Sequence, residues 1–271
     1  MKMHNSLANL TGMAADRRKR WFHCILAALT LVVFGAARLP VETRLTQAQR
    51  AESFGTVKLN LGLREKIGQL GFLAALSGFR TIVADLLWID ANTAWQRVEY
   101  GRMNLMLKTV TTLAPRNAKF WEESAWHMAY NASVYVMNDP KQPKLALRLK
   151  AQREYFMLGL EYAKGGIANV PDDYELYQRL GLIYQDKLKD HCAASDAFAK
   201  AAACPRAFSY EKRFAAYEMS YCPGHEKEAW ALLRKLYDIG PQERLPTLEL
   251  RLKAMEEKLD LPQEQRVYKS S

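Results

Sequence analysis

Side chains able to do acid–base or metal chemistry are few in this sequence and poorly gathered. The five histidines, His4, His23, His127, His191 and His225, are scattered, and no pair has the spacing of a helical zinc-protease site. There is no glycine-rich loop to cradle a phosphate and no Gly-x-Ser-x-Gly elbow to expose a nucleophile. The nearest approach to paired acids is Glu122 with Glu123, and Asp90 elsewhere. A helical, carbohydrate-acting enzyme would need such carboxylates to face each other across a cleft. His127 lies four residues after Glu123 and four before Asn131, so the three can share one helix face. That spacing suits a local hydrogen-bonded stripe better than a catalytic site. Two Cys–His neighbourhoods remain, His191-Cys192 and Cys222 to His225. Enzymatic activity is not expected, and no cofactor or resident metal is required.

The elements that must carry these residues are bounded by composition. The chain has 271 residues, 49% hydrophobic and 25% charged, which excludes disordered and collagen-like classes. Four cysteines in this length exclude a small disulfide scaffold. A formal charge of +10 raises the question of nucleic acid, but its distribution answers it. Residues 1–20 hold Lys2, Arg17, Arg18, Lys19 and Arg20 against Asp16, and Arg38 adds one more base. Residues 39–271 then keep 33 bases and 28 acids, a dilute +5 without a basic stripe. No nucleic-acid partner is expected.

Trp21 to Ala37 is seventeen residues without a formal charge. As a helix it would rise about 26 Å, just short of a hydrocarbon core of about 30 Å. Arg38 can snorkel at one end, and Trp21 and Phe22 suit the interface at the other. The Arg17–Arg20 cluster immediately before it places the N-terminus in the cytoplasm by the positive-inside rule. The expected organisation is a cytoplasmic basic segment at 1–20, a transmembrane helix at 21–39, a tether at 40–63 and a helical domain at 64–271. The rival is a cleaved signal peptide. Both place the helical domain outside the cytoplasm, in the periplasm if the membrane is a bacterial inner membrane. Residues 64–79 read as an apolar helix that packs on the domain or lies against the membrane.

From residue 64 onward apolar positions recur at three and four, as in Trp121, Ala125, Met128 and Ala132, so the expected fold class is all-α. Prolines punctuate the chain, with 34 residues from Pro171 to Pro205 and 36 from Pro205 to Pro241. A period near 34 marks stacked helix–turn–helix units. On these residues the chain resembles the tetratricopeptide repeat. The best unit, from Tyr174, has Tyr177, Leu180, Gly181, Tyr184, Ala193 and Pro205 at that family's positions. An earlier unit from Ala84 keeps Ala91, with Asp90 at an expected core position. The next, from Ala118, keeps Trp121, Ala125 and Met128. It then lengthens around Pro140 and Pro143, so that Pro115 to Pro171 spans 56 residues. The last unit keeps Phe214 and Ala215, and residues 244–259 read as a capping helix.

The resemblance implies a concave groove lined by the first helix of each unit. Carried onto this sequence it selects Trp88, Asn92, Trp95, Glu122 and Trp126, aromatic anchors with polar groups between them, which suit a protein or peptide partner. Gln178 and Leu182 stand where carboxylate-clamping Lys and Asn residues would be needed, so capture of a C-terminal carboxylate is not implied. The same register brings His191-Cys192 and Cys222 to His225 to turns on one edge of the stack. Unbonded turn residues, a Cys192–Cys222 disulfide and a zinc site all remain open, with Cys204 on the opposite edge. The expected function is that of a membrane-tethered adaptor or scaffold in envelope-complex assembly. A structural subunit of an inner-membrane complex is the alternative.

Overall fold

In the computed structural model the described residues are 78–267 together with Trp21, Ile25, Leu26, Leu29, Thr30, Val32, Val33, Phe34 and Ala36. These last nine are helical, with the Thr30 hydroxyl donating to the Leu26 carbonyl at 2.8 Å. The basic segment 1–20, the rest of the expected span 21–39, the tether 40–63 and the apolar stretch up to 77 lie outside the described residues. Among the described residues no helix is long and apolar enough to cross a membrane.

All regular structure among the described residues is helical. The chain divides into two compact units, Met1–Ile89 and Asp90–Ser271. Helix α1 (Arg80–Gln96) crosses the division, with Asp90–Gln96 in the second unit and Arg80–Ile89 in the first. There Ala84 is buried, while Ile82, Leu86 and Ile89 are exposed.

In the second unit the remaining helices follow in chain order. They are α2 (Tyr100–Leu113), α3 (Ala118–Trp126), the π-helical segment π1 (His127–Ala132), α4 (Ser133–Met137) and α5 (Leu145–Asn169). Then come α6 (Tyr174–Ile183), π2 (Tyr184–Leu188), α7 (His191–Ala203), α8 (Tyr210–Met219), α9 (Glu226–Ile239) and α10 (Pro246–Lys258). α3, π1 and α4 run continuously and pack along α5. α6 packs on α5 and on α3, and α7 packs on α6 and α8. α9 joins α8 to α10. From α2 onward each helix therefore rests on the next in sequence, as short connections require.

Local chemistry sets the boundaries. Asp173 caps α6, its carboxylate accepting from the Leu176 amide at 3.3 Å, and Asp190 caps α7 through the Ala193 amide at 3.0 Å. Pro246 opens α10, where its missing N–H has no cost. Lys189, at φ 56°, ends π2 in the left-handed region. The terminal helix α10 closes the unit by burying Leu248, Leu252 and Met255 against Leu233 and Leu236 of α9.

Small residues let these helices approach closely. Ala125, Ala129, Ala132 and Ala163 are fully buried between α3–π1 and α5. A Cβ on Gly159 would lie 2.6 Å from the Ala129 Cβ and 2.9 Å from the Ala125 carbonyl oxygen. Neither neighbour is the end of a flexible side chain, so the backbones would have to part. By contrast a Cβ on Gly101, in α2, meets nothing within 4 Å. Gly159→Ala is therefore expected to destabilise by about 1–2 kcal/mol net, overpacking outweighing the gain in helix propensity. Gly101→Ala should be neutral or stabilising by up to about 1 kcal/mol. Urea midpoints of the two variants check the pair, and equal shifts would remove the close-approach account.

Candidate functional site

Two neighbouring helices leave α-helical geometry along their length, α3 into π1 and α6 into π2. One extra residue in a turn rotates everything after it by about 100°, and such segments recur at functional sites. The two segments are linked directly. The Tyr130 hydroxyl of π1 donates to Asp186 of π2 at 2.8 Å. The Lys187 ammonium of π2 sits 4.0 Å from the Tyr130 ring centroid and 6.0 Å from that of Phe156. Burial raises the Tyr130 pKa, and the bond to Asp186 adds to the shift, so the phenol keeps its proton. Burial lowers the Lys187 pKa, its nearby Asp186 notwithstanding.

Beside Tyr130 lies an aromatic cluster. The His127 ring is met edge-on by Trp95, centroids 5.2 Å apart, and by Trp126 at 4.9 Å. Asn131 Nδ2 donates to His127 Nδ1 at 3.0 Å, which requires that nitrogen to be unprotonated. Burial lowers the His127 pKa against the pull of Glu123 and Glu122. His127 is thus a neutral, positioned ring wedged between two indoles, both of them half-buried.

Next to this cluster runs a chain of ion pairs, buried at Glu122 and exposed at Lys119. Glu122 is only 6% exposed, and its carboxylate accepts from Arg179 of α6 through Nε at 2.8 Å and also through Nη2. Lys119 reaches Glu122 and Glu123, each at 2.9 Å, and Arg179 lies 5.8 Å from the Tyr130 ring centroid. Burial alone would depress the Lys119 pKa, but the bonds it donates to Glu123 and Glu122 carry it above its ordinary value.

Of the five residues expected in a groove, the structure brings Trp95 and Trp126 together around His127 and leaves Asn92 exposed. Glu122 is not presented to solvent; it is filled from both sides as a link between α3 and α6. Trp88 is half-buried and belongs to the other unit. Of the acids singled out for hydrolytic chemistry, Glu123 holds Lys119 and Asp90 lies 3.3 Å from Arg102. Tyr130, Asp186 and Lys187 were not marked by sequence reasoning. Their one sequence signal is aromatic and charged residues at the ends of two paired first helices, a pattern shared by many solvated faces.

At the other end of the unit, Cys192 and Cys222 form a disulfide with their Cα atoms 5.0 Å apart, tying the start of α7 to the turn after α8. Cys204 is a free thiol, its Sγ 3.3 Å from the Lys200 carbonyl. His191 Nδ1 lies 2.7 Å from Glu218, which also accepts from Gln185 at 2.7 Å, and the His191 ring stacks on Tyr221. His225 turns instead to Glu228 at 3.0 Å. Among the described residues no three His, Cys, Asp or Glu side chains are placed to hold a metal ion. Glu211, two helical turns before Glu218 on the same face of α8, is fully buried, and neither carboxylate oxygen has a hydrogen-bond partner. Burial pushes its pKa up to about 7. Comparison with protein-family models, curated proteins and solved structures finds no match.

Two outcomes follow from these groups. The raised Glu211 pKa gives stability that is fully present below about pH 4.5 and lost as the pH rises through about 7. Glu211→Gln and the parent chain should therefore unfold at similar urea concentrations under acid conditions. Above pH 7 the variant should be more stable by roughly 2–3 kcal/mol. A pH-independent difference would show that the buried carboxyl is not the cause. Reducing the Cys192–Cys222 bond, which spans 30 residues of sequence, should lower stability by about 3 kcal/mol. Peptide mapping without reductant should recover the two cysteines linked, and Cys204 should alkylate on unfolding alone.

Proposed function

We propose that this chain is a membrane-tethered adaptor of the tetratricopeptide-like kind, displaying outside the cytoplasm a helical surface that captures a protein or peptide partner. The observation that carries the reading is the meeting of π1 and π2, through Tyr130 and Asp186, beside the half-exposed pair Trp95 and Trp126. The two distorted segments bring one aromatic ring, a cation and a carboxylate together, and His127 of π1 carries two indoles against it, which supports a shared surface. Aromatic anchors with a polar surround are the composition of binding hot spots. The ion pair between Glu122 and Arg179 serves that surface by fixing α3 against α6.

Three further features support it. Successive helices pack on one another and are joined by short connections, as stacked hairpin repeats require to build an extended binding face. The uncharged run 21–37 behind Arg17–Arg20 supplies an anchor with the N-terminus in the cytoplasm. The Cys192–Cys222 disulfide suits the oxidising side of a membrane, such as the periplasmic face of a bacterial inner membrane. Confinement to a membrane raises the effective concentration of partners held there, which is what an assembly adaptor needs.

The test is photo-crosslinking in native membranes from Asn92 and Asp186, both exposed, with Lys200 on α7 as the control position. Adducts should form from the first two and not from the third. Trp126→Ala should abolish them while shifting the unfolding midpoint little, because Trp126 is only half-buried. If unfolding shifts as far as capture, Trp126 is core and the surface is not a partner site. Retrieval of one complex of fixed stoichiometry, insensitive to Trp126→Ala, would instead identify a structural subunit.

A further inference from the structure

The hairpin formed by α3–π1–α4 and α5 is longer than its neighbours. α5 has 25 residues and rises about 37 Å, whereas α6 and π2 together have 15 and rise about 22 Å. α6 starts beside the end of α5 and runs back along it. Lys187, near the end of π2, reaches Phe156, so the cover from this neighbour stops about halfway along α5. Residues 134–153 form the end of the hairpin beyond that level. On it Val134, Leu145, Leu147 and Leu149 are 50%, 51%, 47% and 47% exposed. Tyr135 is 42% exposed although one side meets the Tyr100 ring.

The position of the leucines is informative. Leu145 and Leu149 lie on one side of α5, and Leu147 lies about 160° or more away on the other. The helix start therefore offers apolar side chains around its circumference, not along one stripe. A rigid protein groove covers one stripe; a fluid apolar phase covers all sides. Charge points the same way. Residues 134–153 hold five bases, Lys141, Lys144, Arg148, Lys150 and Arg153, against one acid, Asp139, whose carboxylate accepts from the Lys141 amide at 2.9 Å. Lys141, Lys144, Lys150 and Arg153 are exposed, and no acidic side chain among the described residues forms an ion pair with them. Three of the bases crowd the first turns of α5, the positive end of its dipole, where cations are unfavourable unless an anion is near.

We infer that this hairpin end is a membrane-surface docking element, its leucines entering the interface of an anionic bilayer and its lysines and arginines meeting the lipid phosphates. Leucines spread around a helix end and set close to cations suit insertion of that end at the boundary of headgroups and acyl chains, unlike a helix lying flat on one apolar face, and each basic residue near an anionic surface strengthens binding about fivefold. The element adjoins the partner surface, since Val134 follows Tyr130 by four residues and Tyr135 meets the Tyr100 ring, which Trp95 contacts. It does not depend on the proposed anchor, since a cleaved and an anchored chain carry the same end.

The test uses the full chain with a solvatochromic amino acid in place of Leu147, reconstituted into nanodiscs of phosphatidylcholine with or without phosphatidylglycerol. Emission should shift to the blue and resist acrylamide quenching only when the anionic lipid is present, and the shift should shrink in high salt. Lys141→Glu combined with Lys150→Glu should lower the protected fraction at least tenfold with an unchanged unfolding curve. Leu145→Ser should weaken it without altering its salt dependence. Because the probe reports only this end, a silent probe on a chain still embedded through residues 21–39 overturns docking and leaves the anchor untouched. A probe that ignores anionic lipid but responds to polyglutamate would identify an acidic-protein site and equally overturn it.

Discussion

Everything in the second unit depends on how closely α3–π1 approaches α5. Gly159 sits over Ala125 and Ala129 with no room for a methyl group, and Ala132 and Ala163 extend the same seam. Two helices that close bury backbone as well as side chain, and close-packed interiors transmit rather than absorb displacement. The seam therefore fixes where π1 begins relative to α5 and, through the packing of α6 on both α3 and α5, where π2 must lie. The bond from Tyr130 to Asp186 and the stacking of Lys187 over Tyr130 follow from that placement.

Polar groups then set the register among α3, α6–π2 and α8. Glu122 with Arg179, Gln178 with Tyr210, and Gln185 with Glu218 each join one of these to the next, at 2.8, 3.1 and 2.7 Å. A buried pair adds little net stability compared with apolar packing of the same volume, but a slipped register would strand a charge without its partner. Glu211 departs from this rule. It occupies a fully buried position on α8 with no partner for either oxygen, and its burial is tolerated because the group holds its proton to about pH 7. The disulfide lies at the same end of the unit, joining α7 to the turn after α8.

Helical periodicity and the 34-residue proline spacing made the all-α class and most of the element boundaries legible. Pro171, Pro205 and Pro241 each fall in the connection after a helix, and Asp173 and Asp190 stand where capping residues belong. What could not be read from the sequence depended on distant partners. Glu122 looks like an exposed groove acid until Arg179, 57 residues later, is placed against it. His127 with Asn131 was readable as an i, i+4 pair, but its enclosure between Trp95 and Trp126 needs α1 to meet π1. The π segments leave no compositional trace, because their extra residue is accommodated by packing and not by any residue type. Trp95 and Trp126 were picked out by register alone and do share a cluster, whereas Trp88 belongs to a different unit.

The irregular spacing carries as much meaning as the regular one. Pro115 to Pro171 is 56 residues, 22 more than Pro171 to Pro205, and the added length falls in α4, the turn at 138–144 and the first half of α5. A stack of equal hairpins covers each member on both sides. A hairpin longer than its neighbours must leave its far end uncovered, and a chain selected only for stability would make that end polar. This one places Leu145, Leu147 and Leu149 there among Lys144, Lys150 and Arg153. Burying the three leucines elsewhere would be worth several kcal/mol on the area scale. Moving the cations off the positive end of α5 would also relieve a repulsion. A sequence that forgoes both gains at a single site, while packing alanine against glycine a few turns away, is consistent with that end being covered by something other than this chain.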